Sequence, residues 1–237
     1  MSQLKYKRVL LKISGEALAG EKHFGFDFDV VSKVCDVIKR CNEMGVEMGV
    51  VIGGGNFWRG VKNGEGRMDR RRADYMGMLA TVMNCLALQD VLQQQGVEAK
   101  VLTAIEIAQI GEPFSVEKAD EYLRSGKVVV FGGGVGSPFF TTDTGAVLRA
   151  ALIGADAVLL AKNVDGVYSA DPKKDPNAVR FDTLTYEEVL EKRLAVMDST
   201  ATCIAMDNRI PIKVFALREP ENILRAACGE AVGTLVH

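Results

Sequence analysis

Lys12 sits inside an apolar run, Arg8-Val9-Leu10-Leu11-Lys12-Ile13-Ser14-Gly15, where a charge is out of place unless it has a use. Two further apolar runs end in triple glycines, Val50-Val51-Ile52-Gly53-Gly54-Gly55 and Val128-Val129-Val130-Phe131-Gly132-Gly133-Gly134. Consecutive glycines let backbone N–H groups approach a ligand closely and present a concave row of donors. Arg59 follows the first loop and suits a second phosphate, and Asp143 lies just past the second loop. Cations at the developing charge, together with a carboxylate that orients one of them or a magnesium ion, are the parts that phosphoryl transfer needs. The three strand-end loops therefore point to a site for more than one phosphorylated group.

Each of these residues has an ordinary alternative. The glycines could simply make tight turns, Lys12 could be a surface lysine, and Asp143 a helix N-cap. Asp74 opens an apolar helix, where helix stabilisation and ribose binding are both open. The cluster Arg67, Arg70, Arg71, Arg72 reads as a solvated helix start or as a ligand contact. Familiar nucleotide signatures are missing. Gly15 to Gly20 has P-loop spacing, but Glu21-Lys22 follows where Lys and Ser/Thr are required. Neither triple glycine completes G-x-G-x-x-G, and nothing matches G-x-S-x-G or H-E-x-x-H.

The elements that must position these groups alternate between strand and helix to the end of the chain. Val/Ile/Leu runs bounded by glycine read as strands of a parallel sheet, buried on both faces. Val30, Val31, Val34, Val37, Ile38, Cys41 and Met44 make one stripe of a helix over Asp29 to Met44. The next helix, Ala73 to Gln95, reads as apolar on nearly every side, either buried within the fold or packed in a subunit interface. Strands are expected over Val97 to Thr103, Val128 to Phe131, Asp156 to Leu160, Ile212 to Ala216 and Thr234 to Val236. Helices are expected after Ser115, at Thr142-Asp143-Thr144, near Tyr186 to Lys192, after Asp198 and from Glu221. Ser169 to Asp182, with two Asp-Pro pairs, reads as a long functional loop. No linker, low-complexity tract or repeat interrupts the 237 residues, which reads as one continuous α/β domain over 1–237.

Composition narrows the class. Five cysteines without ligand spacing read as small buried hydrophobes in a reducing compartment, and two histidines leave little for zinc or a His-based triad. A net charge of −2 argues against general nucleic-acid affinity, and the N-terminal pattern is a first strand, not a signal peptide. No apolar run approaches the roughly 20 residues of a membrane span. The expectation is a cytoplasmic protein with no nucleic-acid or membrane partner.

Five blocks together resemble bacterial uridylate (UMP) kinases of the amino-acid kinase superfamily. They are Lys12-Ile13-Ser14-Gly15-Glu16, the stretch from Gly53 to Gly60, Asp74-Tyr75-Met76-Gly77-Met78-Leu79-Ala80-Thr81, Gly136-Ser137-Pro138-Phe139-Phe140-Thr141-Thr142-Asp143, and Val164 to Pro172. The resemblance runs along the whole chain in order. It implies a three-layer αβα sandwich around a mainly parallel sheet and magnesium-dependent transfer of the ATP γ-phosphoryl group to UMP, within pyrimidine nucleotide synthesis. It also implies a homohexamer built as a trimer of dimers, with GTP as activator and UTP as inhibitor. Carried over, Lys12, Ile13, Ser14, Gly15, Gly55, Arg59, Tyr168 and Asp171 fall on ATP positions. Lys162-Asn163 stand where many relatives have threonine-lysine, and one of the two falls on the nucleotide. Gly54, Asp74, Val135, Gly136, Ser137, Pro138, Phe139, Phe140, Thr141 and Thr142 fall on UMP positions. Gly20, Glu21, Lys22, His23, Phe24 and Gly25 match the segment tied to GTP activation. No dedicated metal ligands are implied, because magnesium travels on the phosphates.

The residues agree with such an acceptor. A nucleoside monophosphate brings an ionised nucleophile, since its second pKa is about 6. No general base is then required, and no histidine lies in the loops on which ATP and UMP fall. Two rivals remain: another superfamily member that phosphorylates a carboxylate or carbamate, and a nucleotide-sensing protein without turnover.

Overall fold

The first apolar run forms β1, Arg8–Ile13, in the computed structural model of the chain, which describes residues 4–58, 68–172, 174–194 and 197–237. A one-turn helix α1, Gly15–Leu18, and a 3-10 turn, Gly20–Lys22, lead to α2, Phe28–Glu43. The Asp27 side chain caps α2 by accepting the Asp29 N–H, and its stripe of Val31, Val34, Cys35, Ile38 and Cys41 is buried. There follow β2 (Glu47–Ile52), α3 (Arg70–Gln94), β3 (Ala99–Thr103), β4 (Glu112–Pro113), α4 (Val116–Arg124) and β5 (Val128–Gly132). Next come α5 (Thr142–Leu152), β6 (Ala157–Lys162), β7 (Val167–Tyr168), β8 (Arg180–Phe181) and β9 (Thr183–Leu184). The chain ends with α6 (Tyr186–Glu191), α7 (Ser199–Asp207), β10 (Ile212–Ala216), α8 (Asn222–Ala227) and β11 (Thr234–Val236).

Among the described residues, nine strands form one sheet in the order β4-β3-β5-β2-β1-β6-β10-β11-β9. Every pairing is parallel except β10 with β11. Strand alternation divides the core in two. Val9, Leu11, Ile13, Val50 and Val130 face α2, α3 and α8, while Leu10, Val51, Val129 and Leu160 face α4, α5 and α7. Both faces are covered, so the central strands are mostly apolar, and each buried Leu, Ile or Val stabilises by about 1.5–3 kcal/mol. The result is the expected αβα sandwich. Burial pushes the thiols of Cys35, Cys41 and Cys85 up to about 12, consistent with inert packing residues.

The helix α3 is apolar on nearly every side, as expected, with Tyr75, Met76, Leu79, Met83 and Leu86 exposed and Met78, Val82, Cys85, Leu88 and Leu92 buried, although Thr81 and Asn84 are buried polar residues on it. By length and composition it could cross a membrane, yet half of that stretch is buried within the fold. Two helix starts need correction. The cap of α3 is Asp69, whose carboxylate accepts the Arg71 and Arg72 N–H groups, so Asp74 lies inside the helix and does not open it. The cap of α5 is Thr141, whose hydroxyl accepts from the N–H groups of Asp143 and Thr144. The Asp143 side chain is thereby free of capping duty. The long loop after Tyr168 returns as an antiparallel pair of β7 with β8, too short to show a period in sequence.

Candidate active site

Strands β5, β2, β1 and β6 are adjacent and parallel, so their carboxyl ends emerge together on one edge of the sheet. In the β1–β6 register Lys12 lies opposite Leu160, which puts Lys12 and Lys162 on the same face. That face is covered by α5, and its second residue, Asp143, comes between the two lysines. Lys12 Nζ is 2.8 Å from Asp143 Oδ1, and Lys162 Nζ donates to Oδ2 at 3.1 Å. The Lys12 contact is a close, nearly buried ion pair. The side chains are 9%, 20% and 14% exposed for Lys12, Lys162 and Asp143. Burial alone would raise the Asp143 carboxyl, but attraction first to Lys12 and then to Lys162 outweighs it and holds the group below the usual carboxylate value. Burial also lowers the Lys162 ammonium, more than Asp143 raises it.

The start of α5 is fixed from a second side. Asp198, the cap of α7, accepts hydroxyl hydrogen bonds from Thr141 and, at 2.8 Å, from Thr144, as well as the Ala201 N–H at 2.9 Å. One carboxylate therefore locks two helix N-termini together, which holds Asp143 in place. The two glycine loops flank this cluster. A Cβ built on Gly53 would lie 3.4 Å from Thr142 Oγ1 and 3.5 Å from Gly15 N, so β1, β2 and α5 meet at the first loop.

Between the loops lies a cavity of about 510 Å³. Of the residues expected to face UMP, Gly54, Asp74, Val135, Ser137, Phe140, Thr141 and Thr142 line it. Gly136, Pro138 and Phe139 belong to the same loop but are not in the wall. Phe139 has φ +74, a left-handed conformation that is costly for an aromatic residue. It is held there by its N–H, which donates to Asp74 Oδ2 at 2.9 Å, and by Arg70, whose guanidinium lies 5.2 Å from its ring centroid. Asp74 thus reaches across to the second loop from α3.

The residues expected to face ATP are split. Lys12 is in the charged cluster, Ile13 is fully buried in the sheet, Ser14 and Gly15 form the turn into α1, and Gly55 lines the 510 Å³ cavity. Tyr168 and Asp171 line a second cavity of about 330 Å³, closed by Lys192, Arg193 and Leu194. The Lys162 side chain turns to Asp143 while Asn163 is exposed. Arg59 and Arg67 lie outside the described residues. Gly20 to Gly25 is a surface turn with Phe24 67% exposed and His23 at φ +58. It is joined to the first loop by Gly25 N–H on Asn56 O and by Asn56 Nδ2 on Gly25 O.

Sequence reading missed several residues of this site. Trp58 and Glu16 line the larger cavity. Arg149 is buried with no carboxylate paired to it among the described residues, 3.8 Å over the Phe114 ring, with Nη2 3.5 Å from Gly134 O beneath the second loop, and burial lowers its guanidinium to about 10. A polar stripe was readable on α3: Asp74, Gly77, Thr81 and Asn84 recur at helical spacing. No pattern links Asp198 to Thr141, which are 57 residues apart.

Among the described residues, no three of His, Cys, Asp and Glu gather to hold a metal ion. Asp143 already faces two ammonium groups, so the donor set suits a cation carried on nucleotide phosphates better than a protein cage.

The sequence model of the Amino acid kinase family matches residues 7–216. The chain is similar to the crystal structure of UMP kinase from Bacillus anthracis, with 40% identity and a TM-score of 0.94, covering 98% of this chain and 96% of that one. It is also similar to UMP kinase from Ureaplasma parvum, with 35% identity, a TM-score of 0.92, and 98% and 99% of the chains covered. For uridylate kinase from Archaeoglobus fulgidus the identity is 31%, the TM-score 0.76, and the coverage 97% and 99%.

Proposed function

The chain belongs to the amino acid kinase family, and we propose that it is a UMP kinase, one kinase domain that transfers the γ-phosphoryl group of magnesium-bound ATP to UMP, giving UDP and ADP. The observation that carries this reading is the Lys12–Asp143–Lys162 cluster set at the strand ends beside both glycine loops. Lys12 and Lys162 meet the charge that develops on the transferring group, and Asp143 keeps both ammoniums aimed. Arg59 meets the same phosphates. Magnesium on the ATP phosphates supplies further neutralisation of that charge. The N–H groups of the first loop hold phosphate, and Tyr168 and Asp171 hold the rest of ATP in the 330 Å³ cavity. The 510 Å³ cavity takes UMP, with Asp74 on the ribose and the Val135 to Thr142 loop on base and phosphate. The UMP phosphate is itself the nucleophile, so no side chain need take a proton.

In this reading the enzyme works in the cytoplasm in pyrimidine nucleotide synthesis, as a homohexamer whose dimers bury the exposed face of α3. GTP activates it through Gly20 to Gly25, and UTP inhibits. The test is ADP release with ATP and magnesium, offering UMP or CMP. UMP should be strongly preferred, because a site that hydrogen-bonds one base edge leaves buried groups unpaired when donor and acceptor are exchanged. Equal turnover of the two would overturn the assignment, and a carboxylate acceptor used better than either would favour another branch of the family.

A further inference from the structure

Thr81 and Asn84 stand three residues apart on α3, both almost fully buried, and each binds a different glycine loop. The Thr81 hydroxyl accepts the Gly133 N–H at 2.9 Å and donates to Met78 O at 2.6 Å. Asn84 Nδ2 donates to Gly53 O at 2.7 Å, and its amide pairs reciprocally with that of Asn56, at 2.9 and 2.8 Å. Asn56 uses its remaining hydrogen on Gly25 O at 2.9 Å. All four amide hydrogens of the two asparagines are thus used, which fixes both side chains. The first loop also sits directly on the helix: a Cβ added to Gly54 would lie 2.7 Å from Gly77 O.

We propose that Thr81 and Asn84 are positioning residues that set the spacing between the two glycine loops, and so the distance across which the phosphoryl group passes. The three-residue rise from Thr81 to Asn84, about 4.5 Å along the axis, is the spacer, and a helix is stiff along its axis. Orientation follows as well as distance. In a trans peptide the C=O and N–H point opposite ways, so holding Gly53 O against α3 turns the Gly54 N–H away from it. No hydrogen bond occupies the Gly54 or Gly55 N–H among the described residues. In the second loop the Thr81 hydroxyl fixes Gly133, where the backbone enters the left-handed region at φ +78. The inference rests on the kinase reading, because spacing matters only if groups bound at the two loops must meet.

The experiment compares Thr81→Val, Thr81→Ser and Asn84→Leu with the unmodified protein. Initial rates with ATP and UMP give kcat, and calorimetry gives the Kd of each nucleotide alone. Thr81→Val keeps the shape but loses both hydrogen bonds. Loops held at the wrong spacing should lower kcat by about tenfold to a hundredfold, while each Kd changes by less than about threefold. Thr81→Ser, which keeps the hydroxyl, should recover most of the loss. If Asn84→Leu fails to fold, the two Thr81 variants carry the comparison. Full kcat in folded Thr81→Val, or a loss confined to the Kd of one nucleotide, would overturn the proposal and leave the kinase reading intact. An unmodified protein that neither binds nor phosphorylates UMP would overturn both.

Discussion

Replacing Asp143 with Asn keeps the shape of the side chain and removes only its charge. The carboxylate lies 2.8 Å from one ammonium and 3.1 Å from another. At an effective dielectric of roughly 20, each attraction is on the order of 5–6 kcal/mol before desolvation is counted. Desolvation cancels part of this, and breaking a buried pair by removing one partner costs about 3–5 kcal/mol net. The variant should therefore be less stable by that margin at pH 7, with a lower denaturant midpoint, and kcat should fall by about a hundredfold or more, because the ammoniums lose their aim. The pH dependence follows from the direction of the shift. The folded carboxyl lies below its ordinary value of 3.8, so its stabilisation is complete above that value and is lost as pH falls through the folded one. The stability gap between the two proteins should be flat from about pH 7 to pH 5 and narrow only below about pH 4. Equilibrium denaturation at several pH values, with rates at saturating ATP and UMP, tests both halves. A variant with near-full kcat would refute the catalytic reasoning. A gap that closes between pH 5 and 7 would refute the electrostatic reasoning.

Other expectations concern assembly and regulation. Leu79 is 48% exposed on α3 beside Tyr75, Met76, Met83 and Leu86, so Leu79→Glu should dissociate the proposed dimers, since an unpaired charge buried in an interface costs several kcal/mol. A monodisperse monomer of the unmodified protein in light scattering would remove the basis for that expectation. Phe24 is largely exposed and edge-on to Phe57 at 5.6 Å, next to the first loop. GTP titrated at sub-saturating ATP should raise the rate by a factor that corresponds to about 1–3 kcal/mol of coupling, and Phe24→Ala or His23→Ala should reduce it. An identical GTP response in all three proteins would place the effector elsewhere.

Much of this molecule is decided locally. Lys12 within an apolar run, the triple glycines and the caps at Ser115 and Asp198 depend on neighbours in sequence, and each long element appears within a few residues of its expected place. Strand periodicity and glycine boundaries are short-range properties, and backbone sterics alone impose them. The two-residue strands and the capping box of Thr185 with Glu188 on α6 were not anticipated, the strands because two residues carry no period. The misassigned cap at α5 came from three hydroxyl and carboxylate residues in a row, each a competent cap. Only the backbone path selected Thr141 and so released Asp143 for Lys12 and Lys162. The sequence also marked Lys12 and Asp143 as candidates but could not say that Lys162 shares their carboxylate. That depends on β6 pairing with β1 in one register, because a shift of one residue would turn Lys162 to the opposite face. The polar stripe of α3 was visible as spacing, yet its meaning required both glycine loops to lie against the same helix. Long-range pairing of strands is what brings those loops together, and no local pattern encodes it.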